Sequence, residues 1–289
     1  EAPFRDAVDA GGRRALTQTV LTTCPLPPTE GRLPRFEPEG DLHAEDLLAE
    51  ANRCCEGLLH GVAGAAALDD VADQLKPHWA DERELVAEDR VGWENRFGPM
   101  DPVVTERDVT VAGPSERLSG ARSVLVLALA LPREGVACTA RPPAEAPGPM
   151  SLLQYESQVL LRQAAWRVVR ALEAAGAAAY VSSDLLGTGS VTGNPRGPQV
   201  DAFSNRFAAV AAGLAHLGRC GHPIHPDHGS NFRTISIVTD VRLEPSPLLA
   251  DRDRPSCDGC SLCLDACPVG AFEGPVTVDV ADSRETFHR

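Results

Sequence analysis

The sequence predicts an α/β (α+β) chain that ends in a small cysteine-rich module. An uninterrupted apolar run from Ser123 to Leu131 is typical of a buried central strand. The segment from Ser151 to Ala175 has the apolar spacing of a long amphipathic helix, and Gly176 follows it as a typical helix-ending residue. Four cysteines lie close together between Cys257 and Cys267. We therefore expect a mixed core of helices and strands with a compact module after it.

Three regions are expected along the 289 residues, because a chain of this length is near the upper limit of what one core supports. Residues 1–115 are predicted to be mixed helices and loops packed on the core. They contain one helix capped by Asp41 and a second, from Leu68 to Leu75, that ends before Pro77. Residues 116–250 form the central domain, and residues 251–289 form the cysteine-rich module.

Further elements of the last two regions follow from local patterns. Proline-rich residues 139–149 and 244–255 are predicted to be irregular. Short apolar or alternating runs predict strands, and an apolar stretch after residue 203 predicts a helix. In chain order these are a strand over Ala179–Ser182, a helix from about Ser204 to Leu217, a strand over Thr234–Leu243 and a strand over Val276–Val280.

The net charge of −14 disfavours a nucleic-acid partner, because binding to phosphates requires a basic surface. The longest apolar runs are far shorter than the roughly 20 residues of a membrane helix, so no membrane span is expected. The sequence contains nine cysteines, several of which are predicted to serve as free thiolates. Free thiolates need a reducing compartment, so we expect a cytoplasmic protein.

The run CDGCSLCLDACPVG has the spacing of a bacterial iron–sulfur motif. Cys257, Cys260, Cys263 and Cys267 are separated by two, two and three residues, and Pro268 follows the last. A structural zinc site is the alternative, but zinc sites usually bring two close pairs together across a longer spacer. The run therefore predicts a [4Fe-4S] cluster. In such motifs the fourth cysteine normally serves a second cluster, so Cys267 either closes a single cluster or serves another whose ligands lie elsewhere.

Residues before the cysteine run resemble a known family. Ala212-Gly213-Leu214 with Gly218-Arg219, then Gly229-Ser230, then Thr239-Asp240 with Leu243, follow the order of motifs in the cobalamin-dependent epoxyqueuosine reductases and reductive dehalogenases. SGARSVLVLAL, from Ser119 to Leu129, resembles a strand of that family. The resemblance covers about Ser119 to Phe272. It implies a nitroreductase-like domain that holds base-off cobalamin against the cluster, with reduction by Co(I) as the chemistry.

The chain also departs from that family. Ala215 replaces a glycine of the family's A-G-L-G turn, and His216 replaces a residue that is often aromatic. The family's second cluster motif does not occur in these 289 residues. The proton-donor aspartate of the epoxyqueuosine reductases falls on Gln199, two residues from Asp201. Asp201 is therefore a candidate proton donor, with a helix N-cap as the alternative.

The resemblance and the local chemistry together predict the site residues. The resemblance implies cofactor binding by Gly213, Gly218, Arg219, Gly229 and Ser230. Reduction by two electrons needs a proton donor, and His222 is our second candidate beside Asp201. His222 lies in a loop with His225 and His228, which are either surface residues or a metal site. Cys220, in the glycine turn, is a candidate ligand or redox residue.

The predicted function is that of an iron–sulfur oxidoreductase. Electrons would pass from a donor such as ferredoxin or flavodoxin to the [4Fe-4S] cluster, then to a bound cobalamin, and then to a small organic substrate. The alternative is a non-catalytic electron-transfer protein or subunit that has the cluster and no cobalamin. The changes at Ala215 and His216 favour the alternative, whereas the retained Arg219 and Gly229-Ser230 favour the enzyme.

Overall fold

The structure is a computed structural model that describes residues 42–79, 94–95, 98–99, 112–137, 147–182 and 204–288, except 256, 258, 269, 271 and 273. Its helices are α1 (Ala44–Asn52), α2 (Ala65–Trp79), α3 (Pro114–Arg117), α4 (Arg133–Ala137), α5 (Pro147–Ala174), α6 (Asn205–Ala211) and α7 (Leu262–Asp265). Its strands are β1 (Leu59–Gly64), β2 (Glu94–Asn95), β3 (Gly98–Pro99), β4 (Ser123–Ala130), β5 (Ala179–Ser182), β6 (His216–Leu217), β7 (Pro223–Ile224), β8 (Phe232–Thr239), β9 (Pro275–Val280) and β10 (Ser283–His288).

A four-stranded sheet in the order β1-β4-β8-β5 forms the centre of the fold, and every neighbouring pair is antiparallel. In the pairing of β4 with β8, Ser123 lies opposite Thr239 and Ala130 lies opposite Phe232. The predicted mixture of helices and strands is confirmed. Its antiparallel sheet makes the described part an α+β arrangement.

Both faces of the sheet are covered, which explains the uninterrupted apolar run of β4. Alternate residues of a strand point to opposite faces, so a strand buried on both faces is apolar throughout. Leu125 and Leu127 pack with α1 and α5, whereas Val124 and Val126 pack with α2, α6 and the β9–β10 hairpin. The sheet therefore separates the long helix α5 from the elements that lead to the cysteine run.

The bounds of three helices differ from the sequence prediction. Helix α2 continues past Pro77 to Trp79 instead of ending at Leu75. Helix α5 begins at Pro147, inside the segment predicted to be irregular, and the first turn of a helix tolerates proline because its N–H groups have no helical partner. Helix α6 ends at Ala211 instead of continuing to Leu217.

The early end of α6 comes from a sharp change of chain direction at Gly213. Its φ is +70°, and a Cβ at this position would lie 2.1 Å from the Pro247 carbonyl oxygen. Only glycine combines this left-handed backbone with so close an approach. The turn leads from α6 into the short β6–β7 hairpin, which is followed by β8.

Strand β5 is confirmed with its predicted bounds, and β8 and β9 are confirmed with shifted ends. Gly176 ends the α5 segment in a left-handed conformation with φ +80°, as predicted. Across the ranges that the structure describes, no helix is long and apolar enough to cross a membrane.

Candidate iron–sulfur and cofactor site

The cysteine run forms a loop around the short helix α7. Cys257, Cys260, Cys263 and Cys267 are half-buried, and none of them forms a disulfide within the described part of the chain. The Cys260 amide donates to the Cys257 carbonyl oxygen at 3.1 Å, and the Cys267 amide donates to that of Leu264 at 3.2 Å. Tight local turns of this kind bring backbone amides and thiols to one side of a loop.

The chemistry of these donors fits an iron–sulfur cluster. Four thiolates in one short loop are the donor set that a cubane uses, because each thiolate binds a different iron.

A glycine turn between β6 and β7 contacts the cluster loop through Arg219. The Arg219 guanidinium donates from Nη1 to the Cys260 carbonyl oxygen at 2.6 Å, and its Nε lies 3.2 Å from His288 Nε2. The His288 amide donates to the Arg219 carbonyl oxygen at 2.8 Å. Strand β10 therefore holds both the backbone and the side chain of Arg219 against the loop that carries the cluster cysteines.

Cys220 follows Arg219 and lies beside a cluster cysteine. Its thiol is half-buried and within hydrogen-bonding distance of the Cys263 thiol. Burial raises the pKa of the Cys220 thiol, and the nearby Cys263 adds to this rise, whereas a hydrogen bond from the His222 backbone opposes it. The sequence singled out Cys220, but only the tertiary structure identifies its neighbour.

His222 lies at the other end of this turn, among positive charges. It is an exposed residue, but enough protein surrounds its imidazole to lower its pKa, and the charges of Arg206 and Arg233 lower it further. Arg206 donates from Nη1 to the Gly221 carbonyl oxygen at 3.4 Å. The two arginines make this place suitable for an anionic group, which would favour the protonated form of His222.

His225 and His228 contact each other in the loop after the glycine turn. Their ring centroids are 4.8 Å apart, and His225 Nδ1 accepts a hydrogen bond from the Asp227 amide at 3.0 Å. Partial burial and the neighbouring His228 lower the pKa of His225. The surface and metal-site interpretations of this loop both stay predictions.

The predicted cofactor residues have clear structural tasks. Gly213 permits the close approach to Pro247, and Gly218 permits the contact with Ile224, whose Cγ1 would lie 3.1 Å from an added Cβ. Gly229 has φ +61° and open space around it, and Ser230 is exposed. Their role in binding a cofactor stays a prediction. Asp201, the other candidate proton donor, lies outside the described residues.

A buried ionic network beside the turn was not anticipated. His216 Nε2 lies 3.2 Å from the Ala250 carbonyl oxygen, and the Leu217 amide donates to Glu285 Oε2 at 2.8 Å. Arg254 Nη1 donates to Glu285 Oε1 at 3.0 Å. A weak signal for Glu285 exists in the sequence, because in β10 it alternates with Ser283 and Phe287 on the face that proves to be buried.

The cysteine loop matches a known family. Residues 252–273 match the model described as a 4Fe-4S binding domain, so the chain contains such a domain, as the cysteine spacing predicted. Curated relatives include an epoxyqueuosine reductase from Synechococcus sp. (40% identical over 72 residues, 25% of this chain and 21% of the relative) and one from Staphylococcus aureus (35% identical over 72 residues, 25% and 18%). The predicted resemblance is confirmed, and the match spans about a fifth of the length of these relatives.

Another relative is a subunit of the ion-translocating oxidoreductase complex from Alkalilimnicola ehrlichii, which is 31% identical over 129 residues, covering 34% of this chain and 66% of that protein. Among solved structures, an epoxyqueuosine reductase with a tRNA-Tyr stem loop is similar over 78% of this chain and 52% of its own, with 18% identity and a TM-score of 0.47. The catabolic reductive dehalogenase NpRdhA is similar over 81% of this chain and 26% of its own, with 14% identity and a TM-score of 0.49.

Proposed function

We propose that this chain is an iron–sulfur oxidoreductase of the epoxyqueuosine reductase and reductive dehalogenase type. Cys257, Cys260, Cys263 and Cys267 would hold a single [4Fe-4S] cluster, which would supply electrons to a corrinoid for the reduction of a small organic substrate. The corrinoid is held by residues 116–250 as a nitroreductase-like domain. In this proposal residues 1–115 form the N-terminal region, and residues 251–289 form the ferredoxin-like module.

The observation that carries this proposal is the position of the turn from Gly218 to His222. On one side of the turn, Arg219 donates to the Cys260 carbonyl oxygen at 2.6 Å and the Cys220 thiol contacts that of Cys263. At its other end, His222 lies close enough to two arginines for their charges to lower its pKa. One short segment therefore connects the loop of the proposed cluster with a positively charged site. That site contains a titratable histidine, and a cofactor and a substrate can bind there.

Two buried oxygen atoms on one face of the sheet favour the binding of a polar ligand there. Asn205 Oδ1 and Ser236 Oγ have no hydrogen-bond partner among the groups that the structure describes, although both residues are fully buried. An unsatisfied buried polar group is costly unless a water or ligand completes it. The amide groups along the edge of a corrinoid are donors of the kind that these two oxygens lack.

The residues of the chain have distinct tasks in this reaction. A bound corrinoid supplies strongly reducing chemistry at its metal. Asn205 and Ser236 orient the cofactor through its amides, while Gly213, Gly218, Gly229 and Ser230 shape the neighbouring turns. Once an anionic group has balanced the arginine charges, His222 donates a proton from its imidazole to the reduced substrate. Asp201 is the second proposed donor.

An electron donor would reach the cluster through its exposed loop. Leu262 lies between two of the four cysteines and is 75% exposed, so it is accessible as an apolar contact for a partner. We propose a small cytoplasmic ferredoxin or flavodoxin as this donor. The net charge of −14 disfavours a nucleic-acid substrate.

An electron-transfer protein or subunit without cobalamin is the second candidate. The similarity to a subunit of an ion-translocating oxidoreductase complex favours it. The two candidates differ in one measurable property, because only the enzyme binds a corrinoid.

Anaerobic reconstitution decides between these functions. The purified chain is loaded with iron, sulfide and cobalamin, desalted, and examined by ultraviolet-visible spectroscopy. Retention of about one corrinoid per chain is expected, and a Ser236→Ala variant should retain several-fold less while its thermal stability stays equal or increases. Thr286→Ala, which removes an exposed hydroxyl on β10, is the matched control. A spectrum with cluster absorption and no corrinoid bands would establish the electron-transfer alternative.

A further inference from the structure

We propose that the Arg219–Cys220 segment raises the reduction potential of the [4Fe-4S] cluster. Arg219 acts through the carbonyl group of Cys260, and the Cys220 thiol donates a hydrogen bond to the sulfur of Cys263. Both are positioning residues, because each acts on the cluster through one of its ligands.

The Arg219 charge is held in a fixed place relative to the cluster loop. Its guanidinium donates to the Cys260 carbonyl oxygen at 2.6 Å, which is short for a charge-assisted hydrogen bond. On the other side, His288 Nε2 lies 3.2 Å from Arg219 Nε, and the backbone of His288 donates to that of Arg219 at 2.8 Å. The cation therefore cannot swing into solvent without breaking two side-chain hydrogen bonds, and the backbone bond holds the residue that carries it.

A fixed cation near the cluster favours its reduced form. Reduction adds one negative charge to the cluster, and its energy depends on nearby charges, hydrogen bonds to the sulfurs and solvent exposure. Arg219 is partly buried, so solvent screens its charge less than that of a fully exposed arginine.

Cys220 is placed to donate a hydrogen bond to a ligating sulfur. The turn is closed by a hydrogen bond from the Gly221 amide to the Gly218 carbonyl oxygen at 2.8 Å, and it directs the Cys220 thiol to that of Cys263. Cys220 lies outside the run of four cysteines, so the proposal assigns it the role of donor and Cys263 the role of ligand.

The proposal depends on the cluster and is independent of cobalamin and substrate. Its measurement therefore uses the full chain with the cluster reconstituted and with neither of the other two present. If the chain does not bind cobalamin but the reduction potential of the variants changes as described below, the proposed enzyme function is wrong and the proposal on the potential still holds.

The test is an anaerobic redox titration followed by electron paramagnetic resonance. Arg219→Gln and Cys220→Ala should each lower the equilibrium constant for one-electron reduction several-fold, and the double variant should lower it at least tenfold, which is about 59 mV. Arg219→Lys keeps the charge and Cys220→Ser keeps a hydrogen-bond donor, so these variants should recover part of the loss. Iron content should remain that of the wild type.

Two control variants separate the effect of the Arg219–Cys220 segment on the reduction potential from the general effect of removing an arginine or a cysteine. Arg252→Gln removes an exposed arginine that precedes the same loop, and Cys55→Ala removes a free cysteine next to α1. Both should leave the potential unchanged. Loss of iron in Cys220→Ala would overturn the proposal by making Cys220 a ligand. An unchanged potential in both Arg219→Gln and Cys220→Ala would also overturn it.

Discussion

His216 Nδ1 lies 3.0 Å from Glu285 Oε1, and the two side chains are 1% and 0% exposed. The pair joins β6 to β10 across 69 residues of sequence. Glu285 also accepts hydrogen bonds from the Ser283 hydroxyl at 2.7 Å and from Arg254, so its buried charge is balanced and its lone pairs are used. His216 replaces a residue that is often aromatic in the related family. It is therefore paired with Glu285 of the β9–β10 hairpin.

Removal of the Glu285 charge should destabilise the protein. In Glu285→Gln, an amide NH2 group would face donors, and His216 and Arg254 would lose their carboxylate partner. Breaking a buried pair in this way usually costs about 3 kcal/mol in the free energy of unfolding. Urea denaturation followed by circular dichroism measures the change.

The control for this variant is Asp282→Asn, which removes an exposed acid from the same hairpin. It should change the free energy of unfolding by less than about 0.5 kcal/mol. Equal effects of the two substitutions would mean that the buried network does not stabilise the fold.

Replacement of Cys267 tests the single-cluster assignment. If Cys267 closes the one cluster, Cys267→Ser should lose nearly all of the approximately four irons, as Cys260→Ser should. Iron and sulfide quantification after anaerobic reconstitution measures this. Cys55→Ser serves as the control. Full iron retention in Cys267→Ser would assign the fourth ligand to another group.

The glycine turn after α6 should not tolerate a side chain. Gly213→Ala introduces both a strained left-handed backbone and a Cβ 2.1 Å from the Pro247 carbonyl oxygen. Gly229→Ala introduces only the strain, because no atom lies within 4 Å of its added Cβ. We expect a loss of about 1 kcal/mol for Gly229→Ala and more than about 3 kcal/mol for Gly213→Ala.

Thermal and urea unfolding of these two variants provide the comparison. Since both positions have positive φ, the difference between them isolates the steric contact with Pro247. Similar losses for the two variants would show that the chain after residue 244 moves away from the turn at little cost.

Acidification should weaken the fold through His222. Desolvation first, and then Arg206 and Arg233, lower its pKa below the ordinary 6.5. Between the folded value and 6.5 the unfolded chain binds more protons, so the free energy of unfolding falls as the pH drops through this window. The effect is small because His222 is an exposed residue. NMR titration of the imidazole measures its pKa directly.

Arg233→Gln should raise the pKa of His222 towards 6.5, because one of the two cations is removed. Arg284→Gln, on the exposed face of β10, should leave it unchanged. A His222 pKa at or above 6.5 in the wild type would contradict the proposed cationic environment.

Local patterns were sufficient for much of the secondary structure and for the cluster. The apolar run of β4, the long amphipathic α5 and the spacing of the four cysteines each depend on residues near one another in sequence, and each prediction is confirmed. Helix ends were less predictable. Helix α5 accommodates Pro147 in its first turn, and α6 stops because Gly213 must pack under Pro247, which no local pattern encodes.

The sequence by itself determined the mixed α and β core, the iron–sulfur module and the resemblance to epoxyqueuosine reductases. Only the tertiary structure decided that Arg219 contacts Cys260, 41 residues away, that Cys220 contacts Cys263, and that His216 is paired with Glu285. The physical reason is that a spacing pattern can be recognised along the chain, whereas a contact between distant segments exists only in the folded structure. Helices, strands and cluster ligands are encoded by regular spacing along the chain, whereas the charges and thiols around the cluster meet only when distant segments pack together.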